Sequence, residues 1–544
     1  MRLWLCGILI ACGASTPDRD SSALVVLQEP AISWVRNFNP LIPHGSRWPT
    51  QNGVYEPLMV YNPMTSSWVP WLALSQSWSE DATRLTVELR PGVTWSDGES
   101  FDSEDVVFTF RYLQTHEGLD LSGLWSERLQ SVEALDAHTV TFQFEKVYTP
   151  GGDVVVSQAI IPQHIWSQIE APQSFTNPSP VGTGPFTEVN RFTMQVFELG
   201  RNPHYWQEGK PEVAALRFPA VGGNEQGAWA LSRGEIDWAG SFLPAIDRVF
   251  VDKDPDHHHY WHPMIGASVF LFPNTARPPL DDPQVRKAIS MAIDRDFVVK
   301  VAMQGHVEPA DVTGLSPAYQ RWKSAEVLQS ASWTEHDPVA AAALLDAAGH
   351  PLDESGSRGL SLEMLVVSGW TDWVRALQVI DQNLSAIGID TTVRMLDFGA
   401  WSDRRTRGDF DLSMGWSNIG STPHGYYRDL MSTEMSKPEG ETTHVNWHRF
   451  GFSSSDSEAA QRADLLIAEL ARSPLFSEQL RSTHALQEIM AESAPALPLF
   501  YNPSWGEYST RYFTGFPSPA DPYAPLSPNS GAASLLVMTQ VSPR

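Results

Sequence analysis

Cysteine is nearly absent: Cys6 and Cys12, both close to the start, are all that 544 residues contain. The body beyond them has no thiol for a disulfide, a Cys-ligated zinc or a catalytic nucleophile. Positive charge is scarce as well, with 37 Lys and Arg against 64 Asp and Glu, a formal net charge of -27. A polyanion would have to be gripped against that field, so no nucleic-acid partner is expected. No apolar run reaches the roughly 20 residues that span a bilayer. Gly-rich phosphate loops, His-Glu-x-x-His and Gly-x-Ser-x-Gly are also missing, which leaves ATP-using, metalloprotease and serine-hydrolase readings without a motif. What remains is an ordinary globular composition, 42% hydrophobic and 19% charged, long enough for three or four domains at roughly 150 residues each. One count stands out: 21 Trp against 13 Tyr. Indoles in that number need a reason beyond core filling.

The chain opens Met1-Arg2, continues with an apolar run from Leu3 to Ala11, and passes through Cys12 into small polar residues. A charged start, a short apolar middle and a small-residue end are the pattern of an export signal. Leu9-Ile10-Ala11-Cys12 resembles a bacterial lipoprotein box, in which Cys12 is lipidated and becomes the mature N-terminus, with 1–12 as signal and 13–22 as tether. A plain secretory signal is the alternative.

Past the tether, Ala23 to Leu27 is a β-rich run, and strands alternate with readable helices, so the expected class is mixed α/β. Asp282 can cap a helix with Pro283 at its first position, and Val285, Ala288, Ile289, Ala292 and Ile293 share one face. Asp337-Pro338 starts another helix that stops at Gly349. Leu377, Ile380, Leu384 and Ile387 form the stripe of a third, which ends at Gly388 and feeds a strand from Thr391 to Leu396. Upstream, Leu85 to Leu89 alternates as a strand and Phe101-Asp102 opens a helix carrying Val106, Val107 and Phe110. The segment from Pro517 to Pro528 is expected to wrap the surface before a last strand at Leu535 to Met538.

A series of segments then accumulates in order: Tyr55-Glu-Pro-Leu-Met-Val-Tyr61, Val69-Pro-Trp-Leu-Ala73, Leu89-Arg-Pro-Gly-Val93, Trp95-Ser-Asp-Gly98, Asp105-Val-Val-Phe108, Val181-Gly-Thr-Gly-Pro-Phe186, Arg201-Asn-Pro-His-Tyr-Trp206, Gly234-Glu-Ile-Asp237, Val285-Arg-Lys-Ala288, Ala292-Ile-Asp-Arg295 and Gly408-Asp-Phe-Asp411. Together they resemble the extracytoplasmic solute-binding proteins of ABC importers, in family 5, the group of oligopeptide, dipeptide, nickel and cello-oligosaccharide binders. The resemblance implies a periplasmic-binding-protein-like α/β fold: two lobes joined by a hinge, plus an inserted third domain. It places the first lobe at 23–54, 182–272 and 496–544, the insert at 55–181 and the second lobe at 273–495. It also implies delivery of a small ligand to ABC permease subunits, with no cofactor, by a monomer on the extracytoplasmic face.

Such a family binds chemically different ligands, so the site must decide between sugar and peptide. In the peptide binders, a Trp after Gly-Asp-Phe-Asp is followed by an Asp that pairs with the ligand's α-ammonium. Here the stretch reads Trp416-Ser417-Asn418-Ile419-Gly420, without the carboxylate. A buried ammonium lacking an anion is costly, whereas Asn418 can donate and accept at once, which suits hydroxyls. A pyranose offers a C–H face and a hydroxyl rim, and its natural receptor is an aromatic plate edged with amides, carboxylates and guanidinium groups. The candidate ligand-binding residues are Trp370, Trp373, Trp416, Asn418, Asn446, Trp447, Arg47 and Trp48. Several of their segments resemble the cello-oligosaccharide branch. Trp71, Trp206 and Trp238 lie in segments the family shares and are read as structural. The expectation is an oligosaccharide receptor, cellobiose or cello-oligosaccharide-like, with a short-peptide receptor as the alternative.

An exported glycoside hydrolase is the enzyme reading. The acids it would need, Asp102 to Asp105, are better explained as a helix N-terminus that favours negative charge. His257-His-His-Tyr-Trp-His262 invites a metal, but the run follows a polar stretch read as a solvated loop and has no acid or thiol at ligand spacing. No metal site is expected.

Overall fold

The computed structural model describes residues 22–42, 53–434 and 436–544. Its first lobe is organised by Ala23–Leu27, a strand in which every residue is buried. Leu24 and Val26 face one core while Val25 and Leu27 face another. Burial on both faces explains why the run lacks polar alternation. The strand runs parallel to Ala215–Pro219 on one side and to Trp238–Ala239 on the other. Antiparallel neighbours extend the sheet to seven strands, ending at His258–Tyr260 and Phe186–Phe192. Between the two flanking parallel strands the chain crosses over through the helix Asn224–Ser232.

The second lobe repeats this logic. Leu360–Val367 lies parallel to both Ile389–Leu396 and Leu412–Trp416 within a six-stranded sheet. The helix Thr371–Ser385 carries the chain to one neighbour, and Phe398–Arg407 carries it back across to the other. Each sheet therefore has a topological switch point, and the crevice outside the carboxyl ends of its parallel strands is where such sheets bind ligands.

The inserted region holds a four-stranded antiparallel sheet of Ala73–Trp78, Arg84–Leu89, Thr139–Phe144 and Leu129–Asp136, with the helix Ser103–Thr115 packed on it. Asp102 caps that helix in a reciprocal capping box with Asp105, and Asp105 also accepts a hydrogen bond from the Trp95 indole at 3.0 Å. Buried Glu56 ties the region to the first lobe, accepting from Trp71 (2.6 Å), Tyr205 (3.0 Å) and Trp206 (3.1 Å). Trp238 is fully buried and donates to the Leu526 carbonyl. These indoles are structural, as expected.

The helices Pro283–Ala292, Pro338–Ala347 and Thr371–Ser385 form where capping and periodicity place them. Asp282 and Asp337 cap the first two, and the third is followed by Gly388 at φ +84° and the strand Ile389–Leu396. Four expectations need correction. Leu535–Met538 lies in the helix Ser534–Met538, because its four apolar residues close a single turn onto the first-lobe core instead of finding a strand partner. The segment before it is not merely superficial, since Ala524 and Leu526 are fully buried. By sheet membership the crossings fall within 261–267 and 502–506, because Ser268–Pro273 and Leu497–Tyr501 both pair in the six-stranded sheet. Finally, the histidine run does have acid partners: His257 meets Asp254 at 2.8 Å and His262 meets buried Glu507 at 3.0 Å, while His258–Tyr260 forms an edge strand with His258 stacked on Phe250.

The second lobe is anchored by Arg286, fully buried, which donates to Asp456 (2.7 Å) and to the carbonyls of Leu280 and Ala494. Asp456→Ala strands this guanidinium in the core and is expected to cost about 3–5 kcal/mol in urea unfolding. A loss under about 1 kcal/mol would mean that the pair does not anchor the lobe.

Candidate functional site

The carboxyl ends of the two sheets face each other across a cavity of about 320 Å3. The first lobe contributes Glu29 just past Ala23–Leu27, Asn224 at the start of the crossover helix, and Ser241 and Phe242 just past Trp238–Ala239. The second lobe contributes Trp370, Asp372 and Trp373 after Leu360–Val367, and Trp416 at the end of its own strand. Asn502 and Trp505, on a crossing segment, form part of the floor. They also line a second space of about 440 Å3 that reaches Tyr61 and Trp68 of the insert. On the far side, Trp416 separates the main cavity from a third pocket of about 90 Å3, lined by Arg405, Asn418, Asp429, His444 and Trp447 among others. Three spaces in a row with shared walls suit an extended ligand.

The indoles are arranged as plates with a foundation. Trp416 stacks on fully buried Trp401 at 5.7 Å and 22°, while Trp370 meets Trp373 edge-on at 4.9 Å and Trp416 at 5.8 Å. Trp401 thus backs the plate and does not itself line the cavity.

The lobes touch beside this cluster. Asn224 donates its amide to Asp372 at 3.0 Å, and its backbone N–H bonds the Gly369 carbonyl at 3.2 Å. A Cβ on Gly223 would lie 3.1 Å from that same carbonyl oxygen, so glycine there permits the approach. The insert meets the second lobe through Ser421 and Asp153 and through the Thr149 N–H to the Ala471 carbonyl, at 2.8 Å.

Burial raises the pKa of Glu29 to about 7, opposed by the Asn529 amide, which donates to it at 2.8 Å. Burial likewise raises Asp372 to about 6, opposed by backbone N–H groups and Asn224. Carboxyls so close to their midpoints near neutral pH can both donate and accept, the requirement for partnering hydroxyls. Asp429 is also raised by burial, opposed by Arg428 at 2.9 Å, and it accepts from Asn418.

Trp370, Trp373, Trp416, Asn418 and Trp447 all reach the cleft or its side pocket. Asn446 does not: it is fully buried, at φ +47°, with its amide spent on the Ser432 and Phe450 carbonyls and the Phe450 N–H, so its role is to hold a turn. Arg47, Trp48 and Cys12 lie outside the described residues. Glu29, Asn224, Asp372, Asn502, Trp505 and Asn529 were not anticipated. The first three and Asn502, which follows Leu497–Tyr501 directly, sit past strand ends, a signal available once the strands are placed; Trp505 and Asn529 bear no such mark. The sequence after Trp416 lacks an acid, and Asp429 brings a carboxylate beside Asn418 from elsewhere in the chain, already engaged by Arg428.

Two α/β lobes that face each other through their strand ends, with a ligand-sized cleft between them, define a two-lobed binding protein. The chain belongs to the bacterial extracellular solute-binding proteins, family 5, whose model matches residues 67–437. Members of this family are transport binding proteins, not enzymes: outside the cytoplasm they take up a small ligand for delivery to an ABC permease. The nickel-binding periplasmic protein of Escherichia coli is 26% identical over 71% of this chain and 73% of its own length. The glutathione-binding protein GsiB of the same species is 26% identical over 82% of each. Among solved structures, the mannohexaose-bound periplasmic oligopeptide-binding protein of Thermotoga maritima superposes with a TM-score of 0.87 at 24% identity, covering 97% of this chain and 99% of its own. The oligopeptide-binding protein AppA of Bacillus subtilis, in complex with a nonapeptide, gives 0.78 at 19%, covering 96% and 99%. No helix among the described residues is long and apolar enough to cross a membrane.

The raised carboxyl of Asp372 has a consequence for stability. Its pKa is about 6 when folded against 3.8 ordinarily, so the folded state binds more protons between those values. Its contribution is therefore fully present below about pH 4 and is lost as pH rises through about 6, with a slope of at most about 1.4 kcal/mol per pH unit. Asp372→Asn is expected to flatten the profile of unfolding free energy across that window; a profile as steep as that of the unsubstituted protein would refute the assignment.

Proposed function

We propose that the ligand is an oligosaccharide, cellobiose or cello-oligosaccharide-like, captured by lobe closure and passed to a membrane permease. The observation that carries this reading is the pairing of four indoles in one cavity, Trp370, Trp373, Trp416 and Trp505, with the carboxyls and amides of Glu29, Asn224, Asp372, Asn502 and Asn529. Aromatic faces match the C–H faces of pyranose rings, and groups that both donate and accept match their hydroxyls. A protein of the same fold has mannohexaose bound, so the architecture is compatible with a sugar chain. The three domains act as lobe, insert and lobe. We further propose that the chain works as a monomer, tethered by lipid at Cys12.

Each lobe carries a different half of this chemistry. The second lobe holds most of the plates, and the first supplies much of the polar rim. Ligand first rests on one lobe, and closure adds the groups of the other, favoured only by the extra affinity of the closed state. An analogue lacking one hydroxyl would leave a buried polar group unpaired, at about 1–3 kcal/mol.

A second reading is a short peptide. Glu29 and Asp429 place carboxyls in or beside the cleft, where an α-ammonium could meet one of them. Thermal unfolding against cello-, xylo-, manno- and laminari-oligosaccharides, beside di- to pentapeptides, separates the two. A ligand at a hundredfold its Kd adds about 2.7 kcal/mol. The expected result is a rise in Tm with one sugar series, with Trp416→Ala weakening binding at least tenfold, about 1.4 kcal/mol, while the unliganded protein still melts cooperatively. A rise with peptides alone would reject the sugar.

A further inference from the structure

In the side pocket behind Trp416, the Arg405 guanidinium lies 4.3 Å from the ring centre of Trp401, 4.7 Å from that of Trp447 and 5.5 Å from that of Trp416. Its Nε is fully enclosed and has no hydrogen-bond partner, and no ion pair or hydrogen bond from any described residue reaches the guanidinium. This is unusual in the second lobe. Arg286 and Arg295 are buried outright, and each is saturated by carbonyls or a carboxylate, whereas Arg405 is half-buried with its Nε enclosed. Arg405 gains from the indole faces, yet a cation partly taken from water without an anion remains under-compensated. Burial draws its pKa down only to about 10, so it is charged at neutral pH.

The acid in the same pocket does not relieve it. Asp429 is held by Arg428 at 2.9 Å and by the Asn418 amide, which leaves the pair near neutral and Arg405 as the uncancelled charge. The space beside it, about 90 Å3, takes one carboxylate or two to three waters at about 30 Å3 each. One planar guanidinium matches a carboxylate through two parallel bonds; a phosphoryl group would call for more than a single cation.

We infer that this pocket receives a carboxylate carried by the bound ligand, so that the oligosaccharide is an acidic one with a uronic acid residue seated against Arg405. The inference rests on the sugar reading above for the source of the carboxylate, and the main cavity would hold the neighbouring sugar units. Peptides present the same chemistry at their C-terminus, and the test distinguishes the two.

Isothermal titration of the protein with neutral cello- and manno-oligosaccharides, with oligouronates of equal length and with their methyl esters provides that test, beside short peptides with free or amidated C-termini. The expected result is oligouronate binding at least tenfold tighter than its methyl ester, with that advantage lost in Arg405→Gln and partly kept in Arg405→Lys. The ester comparison needs no substitution, so it decides even if Arg405→Gln fails to fold. Neutral sugars binding as tightly as oligouronates would overturn the inference and leave the sugar reading intact. Peptide binding that weakens on amidation, with no sugar bound, would overturn the sugar source and keep the carboxylate at Arg405. Binding of peptides indifferent to amidation, again without sugars, would overturn both.

Discussion

The architecture depends on two strands having parallel neighbours on both sides. Once Ala23–Leu27 lies between Ala215–Pro219 and Trp238–Ala239, and Leu360–Val367 between Ile389–Leu396 and Leu412–Trp416, parallel pairing requires crossovers, which run through Asn224–Ser232, Thr371–Ser385 and Phe398–Arg407. Crossovers that leave on opposite sides open a crevice at the carboxyl ends. Two such sheets set end to end put Glu29 and Asn224 opposite Trp370, Asp372 and Trp416 without any one loop having to be long. The cleft follows from strand order, and side chains only decorate it.

Within that cleft the aromatic cluster divides its labour. Trp401 is sealed in the core and fixes the orientation of Trp416, which presents its other face to the space. Phe272 does the same for Trp447, at 4.2 Å. Ring pairs of this kind add about 0.5–1.5 kcal/mol beyond their buried area, and a plate held by another ring loses little freedom when a ligand arrives. The arrangement also creates the niche for Arg405, because indole faces are among the few apolar surfaces that tolerate a cation.

The helices were legible because their signals are local. Asp282 with Pro283, Asp337 with Pro338 and the Gly388 stop each act within a few residues, and each appears where the letters put it. That Trp370, Trp373, Trp416 and Trp447 line the cleft or its side pocket was legible for a different reason, as surplus indoles outside the segments the whole family shares. Asn446 misled because it sits beside Trp447 in the chain, yet its amide closes a turn at positive φ. Glu29, Asn502, Trp505 and Asn529 come together from opposite ends of the chain, a juxtaposition that only tertiary structure reveals. Leu535–Met538 went astray because four apolar residues suit a strand or a helical turn equally, and length alone could not arbitrate.

A protein of net charge -27 would ordinarily fill a polar crevice with fixed anions, but here burial raises Glu29 to about 7 and Asp372 to about 6, while Asp429 is matched by Arg428. Low dielectric thus leaves acids that can both donate and accept a hydrogen bond near neutral pH. The groups also belong to opposite lobes, with Asn224 reaching across to Asp372 at the rim. In the proposed capture by lobe closure, opening would expose these carboxyls to water and lower their pKa values, and closing on a ligand with complementary hydroxyls would raise them again. On that proposal, ligand, protonation and closure would be linked through the same few side chains, and a ligand that fails to satisfy them would lack the differential affinity that closure requires.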